Sequence, residues 1–316
     1  MSGVVISVNG KHMQPVISNR QNKIGILSLL AGGSLCGTLG LFSTHLLAAG
    51  ASSMMTAFLR LFFGAIFVAP LVLMTAGPRS FRLTKKELGA VVLIGIVGLA
   101  LNNYCYMTAM QELGIASAAV LDYTAPGFLV LLSAVFFKDK LTARKLLAVL
   151  LNFGGCAVMV TGGNFSELTF SPFGLAIGLL AGLSFALNNL FTRAFAKDME
   201  PFPLTFYGFL FGAIALAPLV APWHGFGFAP STVNILVVCG FGLVPTACGF
   251  GLYYKGVLDV REKSMAPVIS SVENIVACLL GFVVLGEFFN LWKAAGIAMV
   301  LVSIFMIARA DKKTAA

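Results

Sequence analysis

The chain has 316 residues, 59% of them hydrophobic and only 10% charged, with a mean hydropathy of +0.95 and a formal net charge of +9. That much apolar side chain exceeds what one water-soluble core can hide, which excludes an ordinary soluble domain and makes the chain a polytopic membrane protein. The basic excess raises nucleic acid as a partner, a reading that depends on where the basic residues lie.

In chain order, ten apolar runs of roughly spanning length predict ten transmembrane helices. They are Ile24 to Leu46, Ser52 to Met74, Leu88 to Met110, Ile115 to Phe137, Arg144 to Thr161, Pro172 to Ala194, Pro203 to Ala221, Thr232 to Tyr254, Ser264 to Leu285, and Leu291 to Ala308. The first 20 residues are polar and lack a small-residue cleavage pattern, so helix 1 is expected to remain as the first span. The expected fold is all-α and integral to the membrane. A cytoplasmic tail covers 1–23, a first five-helix unit 24–161, a second 172–308 and a cytoplasmic tail 309–316.

Counted over alternate connections, one face holds nearly all of the 21 basic residues, from Lys11, Arg20 and Lys23 to Arg309, Lys312 and Lys313. The opposite face has only Lys293, and Arg60 lies inside helix 2. This is the positive-inside pattern, which puts both termini in the cytoplasm of a multi-pass protein in the cell (inner) membrane. Topology therefore accounts for the charge, and no nucleic-acid partner is expected. The six cysteines all fall within spans and form no C-x-x-C pair, so they read as small packing residues. The expected partners are the bilayer and a small-molecule substrate, with no metal, no cofactor and no assigned oligomeric state.

The two halves repeat one another. A shift of 149 residues lays Ile24–Ser43 over Phe173–Thr192, matching Gly25 to Gly174, Gly33 to Gly182 and Leu41-Phe42-Ser43 to Leu190-Phe191-Thr192. Further on, a shift of 148 pairs Tyr106 with Tyr254, Asp139 with Glu287 and Lys145 with Lys293. Five spans per copy is an odd number, so the second copy enters the membrane inverted. Inverted repeats about an axis in the membrane plane are a recurrent transporter design, with the substrate site near mid-depth where the copies meet.

Several landmarks recur in order along residues 24 to 308: Arg60 in helix 2, Ala125-Pro126 in helix 4 followed by Lys138-Asp139-Lys140-Leu141-Thr142, and Ser271-Val272-Glu273-Asn274 in helix 9 followed by Leu285-Gly286-Glu287. In this the chain resembles the drug/metabolite transporter superfamily, EamA-type. The resemblance implies a ten-helix carrier of amino acids, amines or other small metabolites, with a central cavity lined mainly by helices 1, 3, 4, 6, 8 and 9. The family commonly has Glu-Pro where this chain has Glu273-Asn274, which leaves open whether helix 9 breaks there. Many members carry a neutral residue in place of Asp122.

The residues point to the same region. A carboxylate at mid-depth costs about 2.5–3.5 kcal/mol on insertion scales and is kept chiefly where it faces a cavity or a partner. Asp122, about two turns into helix 4, and Glu273, about three turns into helix 9, approach one another across the repeat axis. Two acids in a low-dielectric enclosure make a site for a proton or a substrate ammonium group. The alternative is that each is satisfied by neighbouring hydroxyls and amides. Asn102, Asn103, Asn188 and Asn189 add polar amides at membrane depth, and one of each adjacent pair is expected to line the cavity. Asn274 joins them beside Glu273, and Tyr106, Tyr123 and Tyr254 supply aromatic walls that could equally be packing. Arg60, on a helix expected at the periphery, is read as a structural cation in preference to a substrate ligand, either neutralising one of the acids or reaching the outer interface by snorkelling. Gly174, Gly178 and Gly182 form a small-residue ridge for close helix packing, and Pro126 and Pro267 mark points where helices 4 and 9 can bend.

With no HExxH and no GxGD in the chain, an intramembrane enzyme is disfavoured. A non-transporting scaffold or a channel is the stronger rival; saturable flux separates it from a carrier.

Overall fold

The computed structural model describes residues 18–168, 171–286 and 288–313; side chains beyond 307 and that of Glu167 are outside the description. Most of the N-terminal tail, the last residues of the chain, and Glu287 with its expected pairing to Asp139 fall outside the described residues.

Among the described residues every regular element is helical. We label α1 Asn19–Ala48 and α2 Ser53–Thr75. The stretch Lys85–Asp122 contains a reversal, because Gly114 sits at φ 81°, ψ 165°, outside any helix. Contacts with the following glycine-ridged helix confirm the turn. Gly98 lies against Asn188, Leu113 reaches Gly174, and the contacts then run back along the same helix, from Leu121 at Gly178 to Thr124 at Gly182. Residues 85–113 are α3 and residues 115–137 are α4. Then follow α5 Ala143–Thr161, α6 Pro172–Phe195, α7 Pro201–Val220, α8 Thr232–Asp259, α9 Lys263–Leu285 and α10 Leu291–Lys313.

The helices pair across the halves: α1 on α8, α2 on α7, α3 and α4 on α6, and α5 on α10. Exchanging the halves maps α1·α8 onto α6·α3, and α2·α7 and α5·α10 onto themselves, as a pseudo-two-fold requires. The small residues make this possible. A Cβ on Gly155 of α5 would lie 2.9 Å from the Gly296 carbonyl oxygen, and one on Gly296 of α10 would lie 2.6 Å from that of Gly155, so these backbones touch.

The repeat extends to the irregularities. The α3 ladder widens into a π-helical stretch over Ile94–Ala100 and that of α8 over Gly242–Gly249, so the two start 148 positions apart. The breaks in α4 at Tyr123 and in α9 at Ser271 are also 148 apart. Each break has a local cause. Pro126 has no N–H, and just before it the Leu121 carbonyl accepts both the Thr124 N–H (3.1 Å) and the Thr124 hydroxyl (2.6 Å). In α9 the Ser271 N–H turns to the Val268 carbonyl at 3.4 Å. The Pro267 carbonyl it would have met accepts instead the Ser271 hydroxyl at 2.8 Å and the Ser270 hydroxyl at 3.2 Å. Helix 9 therefore breaks without a Glu-Pro pair, because serine hydroxyls satisfy the freed backbone.

Candidate functional site

The two half-helix joints place the acids. Asp122 is the last residue before the α4 break, and Glu273 lies in the first turn of Val272–Leu285, after the α9 break. That N-terminus carries unpaired N–H groups and the positive end of the helix dipole, which favours a carboxylate. Asp122 is held differently: the Asn102 amide donates to its Oδ1 at 3.0 Å and also to the Ala181 carbonyl at 3.0 Å, tying α3, α4 and α6 together.

Both acids line a cavity of about 330 Å³ between the halves. Arg60 is its third charged residue, and Asn102, Asn103, Tyr106, Tyr123 and Asn274 its main polar ones. Phe185, Phe241, Phe250, Leu39 and Met107 supply apolar wall. A second cavity, of about 430 Å³, shares Gly37, Gly40, Tyr106, Tyr123 and Asn274 with the first. It continues toward the α3–α4 turn at the exposed Ile115 and toward Lys293 at the start of α10. Together they form one chamber reaching that end of the molecule.

The opposite end is filled. Beneath the chamber the Tyr254 hydroxyl donates to Asn188 Oδ1 at 2.9 Å and the Tyr253 hydroxyl to Asn189 Oδ1 at 2.7 Å, with Leu29 and Met265 fully buried. Further out, polar bridges join the halves. Arg193 of α6 forks onto Asp139 at 2.5 and 2.8 Å with its guanidinium 3.9 Å from the Phe137 ring centre, Lys145 of α5 pairs with Glu262, and Gln21 of α1 donates to Asp259 at 3.0 Å.

Of the sequence-derived candidates, the structure brings Asp122, Glu273, Tyr123, Asn274, Asn102, Asn103 and Tyr106 to the chamber wall. The Asn103 amide is turned back to the Leu99 carbonyl at 2.8 Å, and that of Asn274 toward Cys156 Sγ at 3.3 Å. Asn188, Asn189 and Tyr254 are not in the lining; they form the hydrogen-bonded layer below it. Both members of the α3 pair touch the chamber and neither of the α6 pair does, instead of one from each.

Arg60 overturns the peripheral reading. It lies in the chamber wall, with its guanidinium 5.2 Å from the Phe250 ring centre and its Nε buried without a hydrogen-bond partner. The signal was in the sequence: the insertion cost that marks Glu273 as cavity-facing applies equally to an arginine seven residues into a span. Cys36 and Thr56 are further lining residues that composition could not single out.

The model of the EamA-like transporter family matches this chain twice, over residues 23–161 and 172–309. An uncharacterized transporter of Archaeoglobus fulgidus is 30% identical over 288 residues, covering 90% of this chain and 96% of that protein. A protein of Streptantibioticus cattleyicolor, named a probable terminal-alkyne amino-acid exporter, is 27% identical over 67% of this chain and 70% of its own length. A solved crystal structure superposes with a TM-score of 0.76 over 94% of this chain and 99% of that one, at 19% identity, a likeness of fold.

Proposed function

We propose, from the premise that this chain belongs to the EamA-like transporter family, that the chamber is the solute path of an alternating-access carrier for small metabolites: amino acids, amines or related solutes. The observation that carries this reading is the chamber itself: it lies between two inverted halves, holds Asp122, Glu273 and Arg60 in its inner cavity and Lys293 toward its open end, and is filled at the other end. That asymmetry is what one half of a transport cycle looks like. The distribution of basic residues supports placing the filled end in the cytoplasm, so the chamber faces outward, in a cell (inner) membrane. The relative named as an amino-acid exporter supports amino acids within the substrate class.

Asp122 and Glu273 are the candidate proton or ammonium binders. Coupling is energetically sufficient: a hundredfold gradient of a neutral solute stores about 2.7 kcal/mol, and one charge crossing 100 mV supplies about 2.3. One proton with a modest pH difference therefore drives such a gradient.

The test is uptake of labelled amino acids and amines into proteoliposomes. A carrier gives uptake that saturates with concentration and accelerates when unlabelled solute is trapped inside. Flux that rises linearly without exchange identifies a channel, and no flux across the set identifies a scaffold; either result overturns the proposal.

A further inference from the structure

Three charged groups share the inner, first cavity, and they are not equally satisfied. Asp122 already accepts a hydrogen bond from Asn102. The Glu273 carboxylate has no hydrogen-bond partner among the described residues, and no carboxylate oxygen of a described residue lies within 4.0 Å of the Arg60 guanidinium nitrogens. The Arg60 Nε is buried and unpaired, an arrangement that costs about 1–3 kcal/mol or more for a charged donor and persists where something else completes it. Phe250 of α8 backs the guanidinium at 5.2 Å, steadying it against the wall.

We propose that Arg60 is the anion-binding residue of this chamber, taking the carboxylate of a zwitterionic substrate whose ammonium group pairs with Glu273. This rests on the carrier reading above and names its substrate class: molecules bearing both a carboxylate and an ammonium group, with an apolar side chain that lies against Phe185, Phe241 and Met107. The selection follows from what each alternative leaves behind. A simple amine satisfies Glu273 and abandons the buried Arg60 N–H. A simple carboxylate satisfies Arg60 and faces two acids. Only a molecule with both groups completes the set, and a site that hydrogen-bonds a substrate group rejects analogues lacking it far more strongly than it rejects a missing methylene. Arginine suits the role because its planar fork meets a carboxylate with two parallel hydrogen bonds, which lysine cannot do. At about 330 Å³ the first cavity lies at the small end of the range for enclosed ligand sites, about 300–1,000 Å³.

The experiment is ligand-induced thermal stabilisation of the purified full-length protein. Leucine, methionine and phenylalanine are each compared with the matching decarboxylated amine and the matching 2-hydroxy acid, and the same compounds are followed in proteoliposome flux. In the unaltered protein at least one amino acid binds at least about tenfold more tightly than either of its analogues. Arg60→Gln erases the preference over the amine while keeping the preference over the hydroxy acid; Glu273→Gln does the reverse; Arg60→Lys retains part of the first preference. A merely structural role for Arg60 would weaken all three ligands together, and that result overturns the proposal. The unaltered protein is itself decisive, since an amine bound as tightly as its amino acid refutes the assignment without any variant. If amines bind and are carried, the transport reading stands and Arg60 loses its role; if nothing is bound or carried, both fall.

Discussion

Replacing Arg193 by alanine removes the fork between α6 and the α4–α5 loop at the filled end of the chamber, and under the carrier proposal this should ease that end open. The bridge joins opposite halves, so opening of that end by the proposed carrier should break it. Its two hydrogen bonds measure 2.5 and 2.8 Å, and the side chains of Arg193 and Asp139 are 12% and 23% exposed. Hydrogen bonds to charged groups contribute about 1.5–3 kcal/mol when buried, and exposed ion pairs about 0.2–1 kcal/mol. A partly screened bidentate pair falls between, at about 1–2 kcal/mol. Loss of that amount from one state shifts the closed-to-open ratio of this end by about five- to thirtyfold. The assay is a spin-label distance between Leu141 and Lys197, two exposed positions flanking the bridge in opposite halves, with Cys239, Cys248 and Cys278 replaced by alanine. Arg193→Ala should add a longer-distance population in reconstituted protein. An unchanged distance distribution with lowered thermal stability would refute the gating argument and leave the pair as an ordinary fold contact.

Other expectations concern packing and buried polarity. Gly155→Ala should lower stability by about 1–3 kcal/mol, since its Cβ would meet the Gly296 carbonyl and Met299 at 2.9 Å; Gly89→Ala, with nothing within 4 Å of the new Cβ, should be neutral or slightly stabilising in the same melting assay. Tyr253→Phe strips the buried Asn189 Oδ1 of its donor and should cost about 1–3 kcal/mol, read as a reduced melting temperature. Asn102→Ala removes the amide that fixes Asp122 to α6 and should raise the concentration for half-maximal uptake by about tenfold, the effect of about 1.4 kcal/mol of lost binding.

The spans were legible because lipid demands long apolar runs, and the reversal between α3 and α4 because Gly114 stands in a polar gap between two of them. The repeat was legible at spacings of 148 and 149, and the π-helical stretches and helix breaks carry the 148 spacing into backbone geometry. The α9 break was hidden for a specific reason: two serines accomplish locally what a proline after Glu273 would have announced. Depth was the other hidden variable. Asn188 and Asn189 lie about one turn beyond Phe185, the α6 residue that touches the chamber, and that turn puts them under the floor instead of in the wall. The peripheral reading of Arg60 fails because one face of a peripheral helix still looks inward, and Arg60 sits on that face.

The most direct measurement is counterflow of a transported amino acid in proteoliposomes containing Glu273→Gln or Asp122→Asn, each verified as folded by its melting temperature. If the acids at the two half-helix joints belong to the solute path, each substitution lowers the exchange rate at least about tenfold, the kinetic equivalent of one lost charged contact of about 1.4 kcal/mol. Exchange at the unaltered rate, with the same dependence on pH, in both proteins would contradict the account.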